Sequence, residues 1–145
     1  MKRIKRNQRR GAVIVEMALT LPLFFMVVLG IVEFGRAMMV SQLLTNAARE
    51  GARLAILSGN TNEDVENAVT EFLELSANID AGVVTVNISI TPAAGNPDPG
   101  GQIANAQSRD LCSISVQVPF DEVSYIRADY LAGKSLVGTC AMRHE

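Results

Sequence analysis

A chain of 145 residues can build one modest domain and is too short for two with full cores. Hydrophobic residues make up 48% of it, yet there is no Trp, so the apolar content is aliphatic with six Met. The formal charge of −2 conceals an asymmetry: six of the 13 basic residues, Lys2, Arg3, Lys5, Arg6, Arg9 and Arg10, crowd the first ten positions without an acid, leaving seven against all 15 acidic residues. A basic run of this kind can hold nucleic acid or an anionic surface. Here an apolar helix starts directly behind it and nothing else has the pattern of a nucleic-acid-binding fold, so no nucleic-acid partner is expected.

The first element is the run AVIVEMALTLPLFFMVVLGIV, residues 12–32, with Glu16 its single charge. At about 1.5 Å per residue it spans roughly 31 Å, the thickness of a hydrocarbon core. Pro22 removes one backbone donor, which membrane helices tolerate better than soluble ones. A buried core helix is the competing reading, but the chain has too little other apolar sequence to wrap it on all sides. A cleaved secretory signal also fits poorly, because the run is too long and no A-x-A site follows it. Cations next to a span stay inside, so residues 1–11 are expected in the cytoplasm and residues 33–145 outside.

A carboxylate in a membrane helix costs roughly 2.5–3.5 kcal/mol at the centre and persists mostly where it has a partner. A basic leader ending in Gly11, an apolar run, and Glu16 at the fifth position after that Gly is the arrangement of prepilin-type signals. Cleavage after Gly11 would create an ammonium on Ala12, protonated at neutral pH. Glu16 lies one helical turn on, where it could pair with that ammonium or with one on an adjacent subunit. Gly11 has no side chain to obstruct a peptidase that draws an extended backbone close. The alternative keeps the leader, with Glu16 reaching the headgroups from one turn inside.

The stretches RRGAVIVEMALTLPLFFMVVLGIVEFGRA (residues 9–37) and NAAREGARLA (residues 46–55) resemble the TadE family of tight-adherence (Flp) pilus assembly proteins. QVPFDEVSYI and SLVGTCAMRHE, within residues 117–145, also look like the end of TadE-like proteins. The resemblance implies a non-catalytic minor pseudopilin, single-pass in the inner membrane, whose partners are membrane lipid, other pseudopilins, platform proteins and a prepilin peptidase. Carried onto this chain, Gly11 and Ala12 would flank the cleaved bond and Glu16 would be the matching acid. Pilins of this group often carry an aromatic residue after that Glu, where this chain has Met17.

Helical patterning continues past Val32. Phe34, Met38, Leu44, Ala48 and Ala55 recur at helical spacing with Gln42, Arg49 and Arg53 on polar positions, predicting one long helix, membrane-embedded first and amphipathic second. The small residues Ala47, Ala48, Gly51, Ala52 and Ala55 suit helix-on-sheet packing, with an oligomer seam as the alternative. Ser58-Gly59-Asn60 breaks the helix. Thr61 or Asn62 can cap a second one through Ala77, with Glu63, Asp64 and Glu66 at its positive end and Val65, Ala68, Val69, Phe72 and Leu75 as its apolar face.

Three strand patterns follow: 84–91, 112–118 and a weaker one at 136–142. The expected class is α+β, with both helices packed on a small, mainly antiparallel, three-stranded sheet. Residues 92–110 read as a mobile, exposed Pro/Gly/Asn-rich loop. Cys112 and Cys140 share the apolar parity of their strands, and on the outer side a disulfide between them is the favoured reading over two buried thiols. Such a bridge would close about 28 residues and contribute roughly 3–4 kcal/mol. The only His is His144, so neither a metal nor another cofactor is expected. No nucleophile motif, phosphate loop or paired carboxylates in a cleft point to an enzyme. An uncleaved scaffold of the assembly platform and a tethered binding module unrelated to pili remain as alternatives.

Overall fold

The computed structural model describes residues 5–125 and 133–144, with side chains from Gly11 onward. Lys2 and Arg3 of the basic leader, Ile126 of the QVPFDEVSYI stretch and Glu145 of the SLVGTCAMRHE stretch lie outside the described residues. The elements are α1 (Lys5–Ala55), α2 (Asn62–Ala77), β1 (Thr85–Thr91), β2 (Leu111–Pro119) and β3 (Ser135–Arg143), with short 3-10 turns between them. This is the expected α+β architecture. The chain divides into two compact units, Met1–Gly35 and Arg36–Glu145.

In the first unit α1 runs back through the end of the leader, further than the expected start at Ala12. Between Val13 and Val32 the large side chains stay open except for half-buried Val28: Leu19 is 74% and Ile31 68% exposed. None of the most apolar window is buried, and the helix is long and apolar enough to cross a membrane. A core helix would be wrapped by its own chain; this one is not.

In the second unit, α1 buries a stripe: Ala37, Val40, Leu44, Ala47, Ala48, Gly51, Ala52 and Ala55. The spacing of three and four keeps them on one face. Phe34 and Met38, grouped with this stripe from the sequence, are instead 53% and 67% exposed, because they lie about 80–120° around the helix from Leu44 at 100° per residue. The small residues have a use within the chain. A Cβ on Gly51 would stand 2.7 Å from Val69 Cγ2 and 3.4 Å from Ile114 Cγ2, so α1 meets both α2 and β2 there. A Cβ on Gly138 of β3 would run into the backbone of α1 at Leu44 and Thr45.

α2 opens on a capping box. The Asp64 N–H donates to Thr61 Oγ1, and the Thr61 N–H donates to Asp64 Oδ2 at 2.8 Å. It ends with Asn78 in the left-handed region and Ile79, buried, donating its N–H back to the Leu73 carbonyl, a Schellman closure. Its buried residues are Val65, Val69 and Leu73. Leu75, expected on this face, is 80% exposed; four-residue steps from Val65 lead through Val69 to Leu73, and Leu75 falls about 120° from the middle of that face.

The sheet order is β1-β2-β3, antiparallel throughout. Cys112, Ile114, Val116 and Val118 of β2 are buried, which is the alternation expected of a strand with one face against helices. The other face carries Thr85, Asn87, Ser89 and Thr91 of β1 and Thr139 of β3, all exposed.

Candidate functional site

The residues that carried the processing reading sit on one stretch of α1. Gly11 and Ala12 lie inside the helix rather than at its start, and a Cβ at Gly11 would meet nothing within 4 Å. Its bareness is therefore no packing requirement; what Gly contributes is a weaker helix, by about 1 kcal/mol relative to Ala. Glu16 is exposed one turn on, and Thr20 Oγ1 donates to its backbone carbonyl at 2.9 Å. No ion pair to the Glu16 carboxylate occurs among the described side chains. A peptidase acting between Gly11 and Ala12 would have to unwind this turn, and the local weakness at Gly11 lowers that cost.

Past the membrane-length segment the sequence reading missed two anchor points, Arg36 and Asp110. Arg36 Nε donates to the Val123 carbonyl at 3.1 Å, and its guanidinium lies 4.7 Å from the centre of the Tyr125 ring. A stacked guanidinium of this kind contributes about 0.5–1 kcal/mol at an exposed site. Glu33 is fully buried. Asp110, also buried, organises the 92–110 segment: it accepts from the Ala93 N–H and the Gln107 N–H, both at 2.8 Å, and from Asn96 Nδ2 at 2.7 Å. These bonds, the Ala93 amide first, hold its carboxyl below the usual aspartate range against the opposing effect of burial, with His144 nearby adding attraction.

The segment has a second tether. Asn62 Nδ2 donates to the Gly101 carbonyl, and Asn62 Oδ1 accepts from the Ile103 N–H at 2.8 Å, while Ile103 is buried. A loop read from its Pro and Gly content as a mobile connector thus carries its own hydrogen bonds to α2 and to the start of β2. An Asp just before a strand, in a loop rich in turn residues, is the one sequence signal that could have suggested it.

The two cysteines are on adjacent strands and the same parity, as the alternation required, but not opposite one another. Cys112 pairs with Met142 and Cys140 with Ile114. Both are free thiols, Cys112 buried and Cys140 half-buried. A diagonal pair stands about 7–8 Å apart between Cα atoms, just beyond the usual span of a disulfide, so a bridge would require the backbone to move. Burial, with the nearby Asp110 charge second, pushes the Cys112 thiol up. Among the described residues no group of three or more His, Cys, Asp or Glu could hold a metal ion.

Comparison with known proteins adds one finding. Residues 11–53 match the family model described as TadE-like protein, in agreement with the resemblance read from residues 9–37 and 46–55. No curated protein matches the chain, and no solved structure does.

Proposed function

We propose that the chain is a TadE-like minor pseudopilin: a non-catalytic, single-pass component of a tight-adherence (Flp) pilus assembly machine. The observation that carries this reading is the coincidence of two features on one helix. The family match covers residues 11–53, and the same stretch contains the uncovered apolar helix. An apolar rod that its own chain leaves bare needs hydrocarbon around it. With the cations of residues 1–11 held in the cytoplasm, residues 12–32 cross the inner membrane and residues 33–145 form the external domain. Partners are then lipid, other pseudopilins and the assembly platform, and the energy of assembly comes from one of them.

Within this reading, a prepilin peptidase cuts between Gly11 and Ala12, and the new ammonium on Ala12 pairs with Glu16. Intact-mass measurement of the membrane-extracted protein tests it: Ala12 is the expected mature N-terminus. Deletion of the gene is expected to abolish pili, and normal piliation would retire the assembly role. A topology reporter that puts the C-terminus in the cytosol would defeat the orientation.

Two observations favour an uncleaved scaffold as the second reading. Gly11 and Ala12 sit within an unbroken helix, and Met17 stands where related signals carry an aromatic residue. An intact leader together with lost pili on deletion is the outcome that selects it.

A further inference from the structure

Along α1 the exposed surface changes character at one place. Past residue 32 the exposed positions are Phe34, Gly35, Met38 and Met39, and after them Gln42, Asn46, Arg49 and Arg53. None is polar up to Met39, and all are polar beyond it. Ala37 and Val40 of the same stretch are buried, and so is its single acid, Glu33. Residues 33–39 rise about 10 Å beyond Val32 at about 1.5 Å per residue. The headgroup layer on one side of a hydrocarbon core is about 5–8 Å deep. The apolar surface of α1 therefore overshoots the core by about the depth of the polar layer next to it. The connector after β2 reaches the same level. Arg36, about 6 Å past Val32, donates from Nε to the Val123 carbonyl, and its guanidinium stacks on the Tyr125 ring. Tyr125, 67% exposed, is thus held at the height of Arg36 by contacts within the external domain.

We propose that Arg36, Met38, Met39 and Tyr125 form a lipid-binding collar that seats the external domain in the headgroup layer of the leaflet it faces. The collar rests on residues 12–32 crossing the membrane; it requires neither the pilus role nor removal of the leader. Continuity identifies the occupant. Met38 and Met39 extend the same unbroken helix whose uncovered side chains need hydrocarbon, and no exposed polar residue lies between Val32 and Met39. The side chains also suit a layer that is apolar below and charged above. Tyr, with an apolar ring and a polar tip, is enriched at this depth, and flexible Met side chains fill irregular apolar surroundings. Arg36 brings a cation to the level of the lipid phosphates with its stem along apolar surface. A partner helix or a second copy would need an interface that continues onto Gln42, Asn46 and Arg49, where the apolar surface has ended.

The chain has no Trp, so single Trp substitutions report depth in full-length protein held one copy per phosphatidylcholine nanodisc. Tyr125→Trp keeps a ring beside Arg36, and Met38→Trp changes an exposed position, so neither opens the core. Leu23→Trp marks the middle of the span and Asn87→Trp the exposed face of the sheet. Spin labels on the lipid headgroup and deep in the acyl chain serve as quenchers. The headgroup label is expected to quench positions 125 and 38 about twice as strongly as position 87, and more than the acyl label does. Position 23 should show the reverse preference. Quenching at 125 and 38 no stronger than at 87, with position 23 answering to the acyl label, would overturn the collar and leave the span standing. Absence of acyl quenching at 23 would overturn the span and the collar with it. Stronger acyl than headgroup quenching at 38 and 125 would also overturn the headgroup seat. In the native membrane, benzoylphenylalanine at position 38 is expected to give lipid adducts; adducts chiefly to another protein or to a second copy would overturn the proposal.

Discussion

The contact between Gly138 and α1 gives the most demanding prediction. A Cβ at this position would overlap the backbone of Leu44 and Thr45, including the Leu44 carbonyl oxygen at 2.5 Å. Ordinary contact needs about 1 Å more, and no rotamer change can provide it, since the obstructing atoms are main chain. Gly138→Ala must therefore lift α1 from β3. A gap of 0.5–1 Å forfeits a quarter to a half of each dispersion contact, and a buried Leu makes about 40–60 contacts of 0.1–0.2 kcal/mol each. For Leu44, which is fully buried, a quarter of that total is about 1–3 kcal/mol. The usual cost of overpacking has the same range. Relief of glycine's unfolded-state entropy returns about 0.5–1 kcal/mol, while Val40 and Ala47 on the same stripe lose contact too. The net expectation is a destabilisation of about 2 kcal/mol, a fall in Tm of roughly 8–16 °C. Pulsed alkylation of Cys112, which is fully buried in the folded domain, reports unfolding of the external unit without interference from the membrane helix. Val137→Ala, at a neighbouring site 47% exposed, is the control and should change stability by no more than about 0.5 kcal/mol. A Gly138→Ala protein that melts with the wild type would refute the helix-on-strand contact and the reasoning built on it.

Other consequences are smaller or qualitative. Gly51→Ala places a Cβ against the stiff Val69 side chain, and the helix propensity gained, about 1 kcal/mol, is expected to be outweighed, so its melting point should fall; a rise would show that α2 can move aside. Thr61→Ala removes the side-chain half of the capping box while the backbone N–H at 61 can still donate to Asp64, and should cost about 1 kcal/mol, read from the same alkylation melt. Because hydrogen bonds lower the Asp110 carboxyl below its usual value, its stabilisation is complete above about pH 3.9 and is lost as pH falls through the lower folded-state value. Hydrogen exchange at Ala93 and Gln107 should accelerate over that acid range in the wild type, and Asp110→Asn should remove the dependence. For the cysteines, two alkylatable thiols in protein unfolded without reductant is the outcome that the diagonal register favours; a bridged species would mean that β3 shifts against β2 in an oxidising compartment.

Much of the architecture was legible without coordinates because its signals are local. The 21-residue apolar run, the cations before it, the break at Ser58-Gly59-Asn60, a cap at Thr61 or Asn62 and the strict alternation along β1 and β2 each follow from the solvent preference or backbone freedom of neighbouring residues. The family match rests on the same local stretch. What periodicity could not provide was phase and register. It grouped Phe34 and Met38 with the stripe that begins at Ala37, and chose Leu75 where Leu73 closes the core, because several faces of a rich aliphatic helix satisfy a spacing rule equally well. Only packing against β2 and β3 selects one of them. The offset of Cys112 from Cys140 depends on strand register, which is fixed by pairings tens of residues away. Asp110 and Arg36 find their partners across turns, and their use became visible only when the chain had folded around them.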